Sequence, residues 1–325
     1  MKNGIVIAGN VFVDIKGFPH DNYIPAGRNA GNVEIVHGGV GRNVTEDIAN
    51  LELRPTFVSM VDNTAQGEEV VKKLRNHKVN TDYIVSAPDG MGMWLAIFDE
   101  TGDVVGSISK RPVMDPMAEL LDERGDEIFS NCDSVVLEID MDKEVVKKVL
   151  RYAAKYNKRT YAVVANMSIA SERRDFLQQV DCFVCNLQEA EILFVDSFAG
   201  LEPEEIAEAV SECMINAKIP SMIVTLGSRG AVYADRSGRK GFYRASKVNV
   251  KDTTGAGDAF CAGVAAALTY GKDLPGAVEI GTRLAASVIT VSENVCPRFQ
   301  PEELGLDPNL RDPQPSFFGN EDLVK

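Results

Sequence analysis

The chain has 325 residues and carries 34 Lys+Arg against 48 Asp+Glu, a formal charge of −14. With 45% hydrophobic and 25% charged residues it has the composition of a folded globular protein, long enough to bury a large core without disulfide or metal staples. The acidic balance excludes broad binding to nucleic acid or to anionic membrane, because both need basic surface.

Residues 5–8, 56–61, 134–139, 160–165, 180–185 and 221–226 are short runs dense in Val and Ile. Runs that are apolar on both faces suit strands buried in a parallel sheet. Helical periodicity fills the intervals at 42–53, 66–76, 142–156, 171–179 and 203–217. Two helices rich in small residues follow at 256–270 and 275–292. The alternation predicts an α/β architecture with helices on both faces of a mainly parallel sheet.

Two regions break this rhythm. Residues 90–110 read as a hairpin of strands 93–98 and 104–109 around Asp99-Glu100-Thr101-Gly102-Asp103. Residues 12–37 are rich in turn formers and end in a strand-like run at 33–37. Together they predict a small sheet standing off the main body, a candidate lid. The expected division is a lid of 12–37 and 90–110 and a main domain of 1–11, 38–89 and 111–325. The tail from Pro297 onward, with Pro301, Pro308, Pro313 and Pro315, reads as irregular chain over the surface.

The six cysteines are scattered, the start does not read as a secretory leader, and no run of about eighteen apolar residues occurs. The expectation is a cytoplasmic protein with reduced thiols and no membrane span. Cys182-Phe183-Val184-Cys185 has redox spacing, but it lies in a strand-like run and reads better as plain strand. The three histidines, His20, His37 and His77, stand in unlike contexts, which leaves little for a His-based metal site or a Ser-His-Asp triad. Neither a G-x-x-x-x-G-K-[ST] loop nor a complete G-x-G-x-x-G is present, and the dinucleotide reading falls with them.

Chemistry concentrates at four places. Lys251-Asp252-Thr253-Thr254-Gly255-Ala256-Gly257-Asp258 follows a strand-like run at 245–250 and opens a helix. Its glycines present bare N–H groups and the helix end adds positive potential, an arrangement suited to an anion. Asp258, in the first helical turn, reads either as a helix stabiliser or as a base aimed at that anion. Gly38-Gly39-Val40-Gly41-Arg42-Asn43 precedes a helix and reads either as a tight turn or as a bed for a ligand, with Asn43 able to donate and accept. Thr225-Leu226-Gly227-Ser228-Arg229-Gly230 and Asn186-Leu187-Gln188-Glu189 follow two further strands. All four, with Asp14 after the first strand, fall at strand carboxyl ends, where open α/β sheets collect ligands.

The segments 252–258 and 38–43 resemble the two signatures of the ribokinase-like, or PfkB, family of carbohydrate kinases. The resemblance runs from Ile5 to about Pro301. It implies a ribokinase-like three-layer α/β/α fold with a mainly parallel sheet and a small β-sheet lid. It implies an ATP-dependent kinase that transfers the γ-phosphoryl group to a hydroxymethyl group of a sugar or sugar-like nucleoside.

By the same resemblance Asp258 is the base, and Gly255, Ala256 and Gly257 form the anion hole. Asp14, Gly39 and Asn43 hold the acceptor's hydroxyls, with Asp140 as a further acidic contact for which Glu138 competes. Asn186 and Glu189 match an N-x-x-E motif tied to Mg²⁺ and phosphate placement. Thr225, Gly227 and Gly230 line the nucleotide site, and Asp252 and Thr254 supply oxygens to a monovalent cation such as K⁺. Residues 31–44 and Ser292-Glu293-Asn294-Val295-Cys296-Pro297 look most like the pseudouridine-kinase-like branch, from which Phe12 and Lys110-Arg111 depart. Lys110 and Arg111 read either as a solvated basic pair or as an anchor for a phosphate already on the acceptor, which keeps a 6-phosphofructokinase-like reading open. A non-catalytic sugar- or nucleotide-binding regulator on the same fold is a further alternative. The edge strands of the lid make a homodimer an expectation.

Overall fold

A computed structural model describes residues 4–309. The larger of its two sheets runs, in spatial order, β13 (Lys240–Tyr243), β12 (Ala231–Asp235), β11 (Ser221–Thr225), β10 (Cys182–Asn186), β9 (Arg159–Val163), β8 (Ser134–Glu138), β1 (Ile5–Ala8), β4 (Thr56–Val61) and β5 (Asn80–Ser86). From β11 to β5 all neighbours are parallel, and β12 and β13 are added antiparallel. The smaller sheet has the order β3 (Gly31–Gly38), β2 (Phe12–Pro19), β6 (Gly92–Phe98), β7 (Val104–Lys110). Its outer pairs are antiparallel and its central pair, β2 with β6, is parallel.

Helices cover both faces of the large sheet. Packed on one side are α1 (Val40–Asn50), α2 (Ala65–Asn76), α9 (Ala256–Thr269) and α10 (Leu274–Val288). The other side carries α3 (Asp115–Ser130), α4 (Lys143–Lys155), α5 (Met167–Ser171), α6 (Arg174–Leu177), α7 (Leu187–Phe194) and α8 (Pro203–Asn216). The two-residue period of a strand divides β1 between the layers: Ile5 and Ile7 join the first core, Val6 and Ala8 the second. Cys182 and Cys185 are likewise sent to opposite faces. Burial pushes the Cys182 thiol up to about 12, as expected of plain strand residues. The small residues of α9 and α10 let the helices touch, since a Cβ on Gly263 would lie 2.9 Å from the Cα of Gly281.

The central strands appear within a residue or two of where the sequence places them. Other elements differ. Residues 12–19, which looked turn-rich, form strand β2, because β3 and β6 pair with it on both edges. The predicted helix at 171–179 is two short helices, α5 and α6, separated where Arg173 leaves helical geometry. The predicted strand at 245–250 is irregular chain with no strand partner among the described residues. Elements β5, α3, β12 and β13 lacked a clear local signal. In the tail, Pro301 opens a short 3₁₀ turn, and Pro313 and Pro315 lie outside the described residues.

Strand β1 lies between β8 and β4, and the chain adds β4 and β5 on one side of it before it adds β8 to β13 on the other. The connections diverge there and open a crevice at the carboxyl ends.

Candidate active site

Two carboxylates line the crevice beyond β8. Glu138 accepts from the Asn10 backbone N–H at 2.8 Å, from Asn10 Nδ2 at 2.7 Å and from the Gly41 N–H at 3.1 Å. It therefore ties the end of β1 to the start of α1. Asp140 accepts from the N–H groups of Ala165 at 2.9 Å and Asn166 at 3.1 Å, and Arg111 pairs with it at 3.2 Å. Burial raises both above their ordinary values; the Asp140 charge adds to the rise of Glu138, while the Ala165 N–H and Arg111 oppose that of Asp140.

The two carboxylates form one wall of a cavity of about 560 Å³ whose lining also includes Phe12, Asp14, Gly39, Asn43, Trp94, Arg111 and Asp258. Phe12 and Asp14 come from β2 and Trp94 from β6, so the small sheet forms the opposite wall. A second cavity, of about 710 Å³, is lined by Thr225, Gly227, Gly230, the segment from Ala245 to Val250, Ala256, Gly257 and Ala285. The first turn of α9 stands between the two: Ala256 and Gly257 face the second cavity and Asp258 the first.

Local chemistry explains that turn. Gly255 is the N-cap of α9 in the left-handed region (φ 81), and a Cβ there would lie 2.0 Å from the Asn294 carbonyl oxygen. No side chain caps the helix, and a Cβ on Gly257 would meet nothing within 4 Å. Uncapped N–H groups at a helix end, opening on free space, fit the phosphates of a nucleotide. Asp258 is half-buried, and burial raises its carboxyl to about 6. Asn43 Nδ2 donates to it at 2.6 Å and, with Arg42, opposes the rise, while Glu189 and Asp14 add to it.

The structure brings Asp14, Gly39, Asn43, Asp140, Arg111 and Asp258 to one cavity and Thr225, Gly227, Gly230, Ala256 and Gly257 to the other. Others stand apart. Asn186 and Glu189 form a capping box on α7: Asn186 Oδ1 accepts from the Glu189 N–H at 2.9 Å, and Glu189 Oε2 accepts from the Asn186 N–H at 2.7 Å. Neither is among the residues lining the two cavities. Asp252 lies nearby on exposed chain, accepting from the Thr254 N–H at 2.9 Å. Lys110 is directed away, its ammonium paired with Asp89 and half exposed. The two residues weighed as a phosphate anchor thus diverge, Lys110 being the last residue of β7 and Arg111 lying in the chain beyond it. Among the described residues no cluster of three His, Cys, Asp or Glu side chains is placed to hold a metal.

Trp94 escaped the sequence reading. It is the single tryptophan of the chain and sits in the hairpin already assigned to the lid, a signal that was available.

Residues 2–296 match the family model described as pfkB family carbohydrate kinase. The chain belongs to the pfkB family. It is 34% identical over 294 residues to a guanosine-inosine kinase from Exiguobacterium acetylicum, covering 90% of this chain and 96% of that one. It is 27% identical to the pseudouridine kinase of Escherichia coli, covering 81% and 83%. A ribokinase from Arabidopsis thaliana, solved with ribose and ATP, has a TM-score of 0.77 at 20% identity over 94% of this chain and 99% of that one. The fold is thus ribokinase-like, and the protein is an ATP-dependent kinase of the sugar and nucleoside class. No helix among the described residues is long and apolar enough to cross a membrane.

Proposed function

We propose that this kinase phosphorylates the hydroxymethyl group of a nucleoside, with Asp258 as the base and the first turn of α9 as the anion hole. The observation that carries the reading is the meeting of the two cavities across that turn. A donor in one and an acceptor in the other would face each other at Gly257 and Asp258. Phosphoryl transfer needs positioning and charge stabilisation more than covalent chemistry, and this arrangement supplies both. Asp258 takes the hydroxyl proton as the oxygen attacks, and the N–H groups at Gly255–Gly257 meet the charge on the transferring group. Asp14 and Asn43 hold the sugar hydroxyls, and the small sheet closes over the acceptor to exclude water.

ATP fits the second cavity, its phosphates toward Gly257 and its base between the segment from Ala245 to Val250 and α10. Mg²⁺ supplies neutralisation of the phosphate charge when bound, and Glu189 is the carboxylate assigned to hold it through water. Asp252 and Thr254 are the oxygens assigned to a monovalent cation. Asp252 suits that role as an ionised group, its carboxyl held below the usual range by the Thr254 N–H.

Two aromatics, Phe12 and Trp94, face the acceptor cavity and favour a nucleoside over a bare sugar, since base-on-ring stacking is worth about 1–3 kcal/mol. The relative at 34% identity is named guanosine-inosine kinase. A phosphosugar is disfavoured, because Arg111 is engaged by Asp140 and Lys110 by Asp89.

A coupled ADP-release assay over guanosine, inosine, pseudouridine, ribose and fructose 6-phosphate tests the acceptor. A nucleoside should give the highest kcat/KM, and Trp94→Ala should raise its KM about tenfold or more. Preference for fructose 6-phosphate would refute the reading. Asp258→Asn should lower kcat by about 10²-fold or more while ATP still binds.

A further inference from the structure

The segment Ser292–Pro297 is not explained by the roles assigned so far, and the structure ties it to the base. Asp47, wholly buried on α1, accepts from the Cys296 N–H at 2.6 Å, and Asn50 Nδ2 donates to the Cys296 carbonyl at 2.7 Å. Gly255 lies so close beneath the Asn294 carbonyl that no side chain fits between them. The backbone at Asn294 is therefore held from both sides. Its side-chain Nδ2 lies 3.3 Å from Asn43 Oδ1 and 3.4 Å from the His37 carbonyl at the end of β3. Asn43 in turn donates through Nδ2 to Asp258.

The sense of this chain is dictated at its ends. An ionised carboxylate accepts only, so Asn43 must turn its NH₂ toward Asp258 and leave Oδ1 behind. The His37 carbonyl also accepts only, so Asn294 must turn its NH₂ toward it and toward Asn43 Oδ1. Each amide thus fixes the orientation of the next. We propose that Asn294 is a positioning residue that holds the Asn43 amide with its NH₂ on Asp258 and links that orientation to the end of lid strand β3. The inference rests on Asp258 being the base.

The test compares Asn294→Asp with Asn294→Ala. Aspartate is nearly isosteric but cannot donate, so it sets acceptors against Asn43 Oδ1 and the His37 carbonyl and favours the flipped amide. Alanine leaves a small gap and lets Asn43 choose its own orientation. Asn294→Asp should lower kcat by about tenfold or more, with the KM for ATP within about twofold, and Asn294→Ala should cost less. The acid limb of kcat/KM should also move to higher pH in Asn294→Asp. The other titratable groups facing Asp258 are Arg42 and Asp47 on α1, Asp14 on β2, Glu189 on α7 and Cys261 on α9, and all are unchanged.

A double-mutant cycle separates positioning from the added charge and from damage to the fold. On an Asn43→Ala background, Asn294→Asp should change kcat by less than about twofold. An undiminished loss on that background, or alanine worse than aspartate, would overturn the proposal. Thermal melting of each variant identifies any that are unfolded, and Asn294→Ser, which keeps a short donor, replaces an unfolded Asn294→Ala and should likewise lose less kcat than Asn294→Asp. If Asp258→Asn retains near-normal turnover, the base assignment fails. If it is inactive and the cycle is additive, only the positioning role fails.

Discussion

The raised carboxyl of Asp258 makes a quantitative statement about pH. If Asp258 is the base, as proposed, it must be ionised to act, and activity should be lost as pH falls through its value in the fold, which is about 6. At pH 7 about nine-tenths of the carboxyl is ionised and at pH 5 about one-tenth, so kcat/KM should fall about tenfold between them. An aspartate near its ordinary value, about 4, would remain about nine-tenths ionised at pH 5 and show almost no limb there. The γ-phosphate of ATP also titrates near neutrality, so the limb is assigned by comparison. Asn43→Ala removes the donor at 2.6 Å that favours the ionised form, and the limb should move toward neutral pH while the titration of the nucleotide stays in place. The measurement is initial rate against pH, at subsaturating acceptor and saturating ATP, for both proteins. A flat profile down to pH 5, or a limb that does not move in Asn43→Ala, would refute the reasoning.

Three further outcomes follow from the geometry. Gly255→Ala places a Cβ 2.0 Å from the Asn294 oxygen at a positive φ, and conformation alone costs about 1–3 kcal/mol. Turnover should collapse and Tm should drop, and an unaffected variant would contradict so close an approach of the two backbones. Lys110→Ala removes an exposed, solvent-screened pair and should leave the acceptor KM within about twofold, whereas a large rise would revive the phosphate anchor. Complete burial raises the Asp47 carboxyl well above its ordinary value. In urea unfolding at pH 7, Asp47→Asn, which keeps the acceptor for Cys296, should lie within about 1 kcal/mol of the parent, and Asp47→Ala should cost about 1–3 kcal/mol.

Much of the site was legible because its signals are local. Gly255-Ala256-Gly257 marks a helix start from sequence, and α9 begins at Ala256. The buried parallel strands advertise themselves by apolar density, and β1 and β4 appear at the expected residues. The antiparallel additions β12 and β13, strand β2 and helix α3 depend on partners elsewhere, and periodicity within one segment does not register partners. The segment from Ala245 to Val250 has the composition of a strand but lines the second cavity and has no strand partner among the described residues. The N-x-x-E motif was visible as a motif, and only coordinates disclosed that its two side chains cap each other's backbone.

By itself, then, the sequence determined the alternating α/β architecture, the glycine turn at 255–257, and the family whose signatures that turn belongs to. These depend on residue type and short spacing, which survive without knowledge of the rest of the chain. The tertiary structure decided the environment of each group. Asn43 and Asp258 are 215 residues apart and share a hydrogen bond, Asn10 and Glu138 are 128 apart and share another, and Lys110 and Arg111 are adjacent yet diverge. Ionisation, orientation and accessibility are set by neighbours in space, and the sheet, by reversing direction at β1, determined which neighbours those would be.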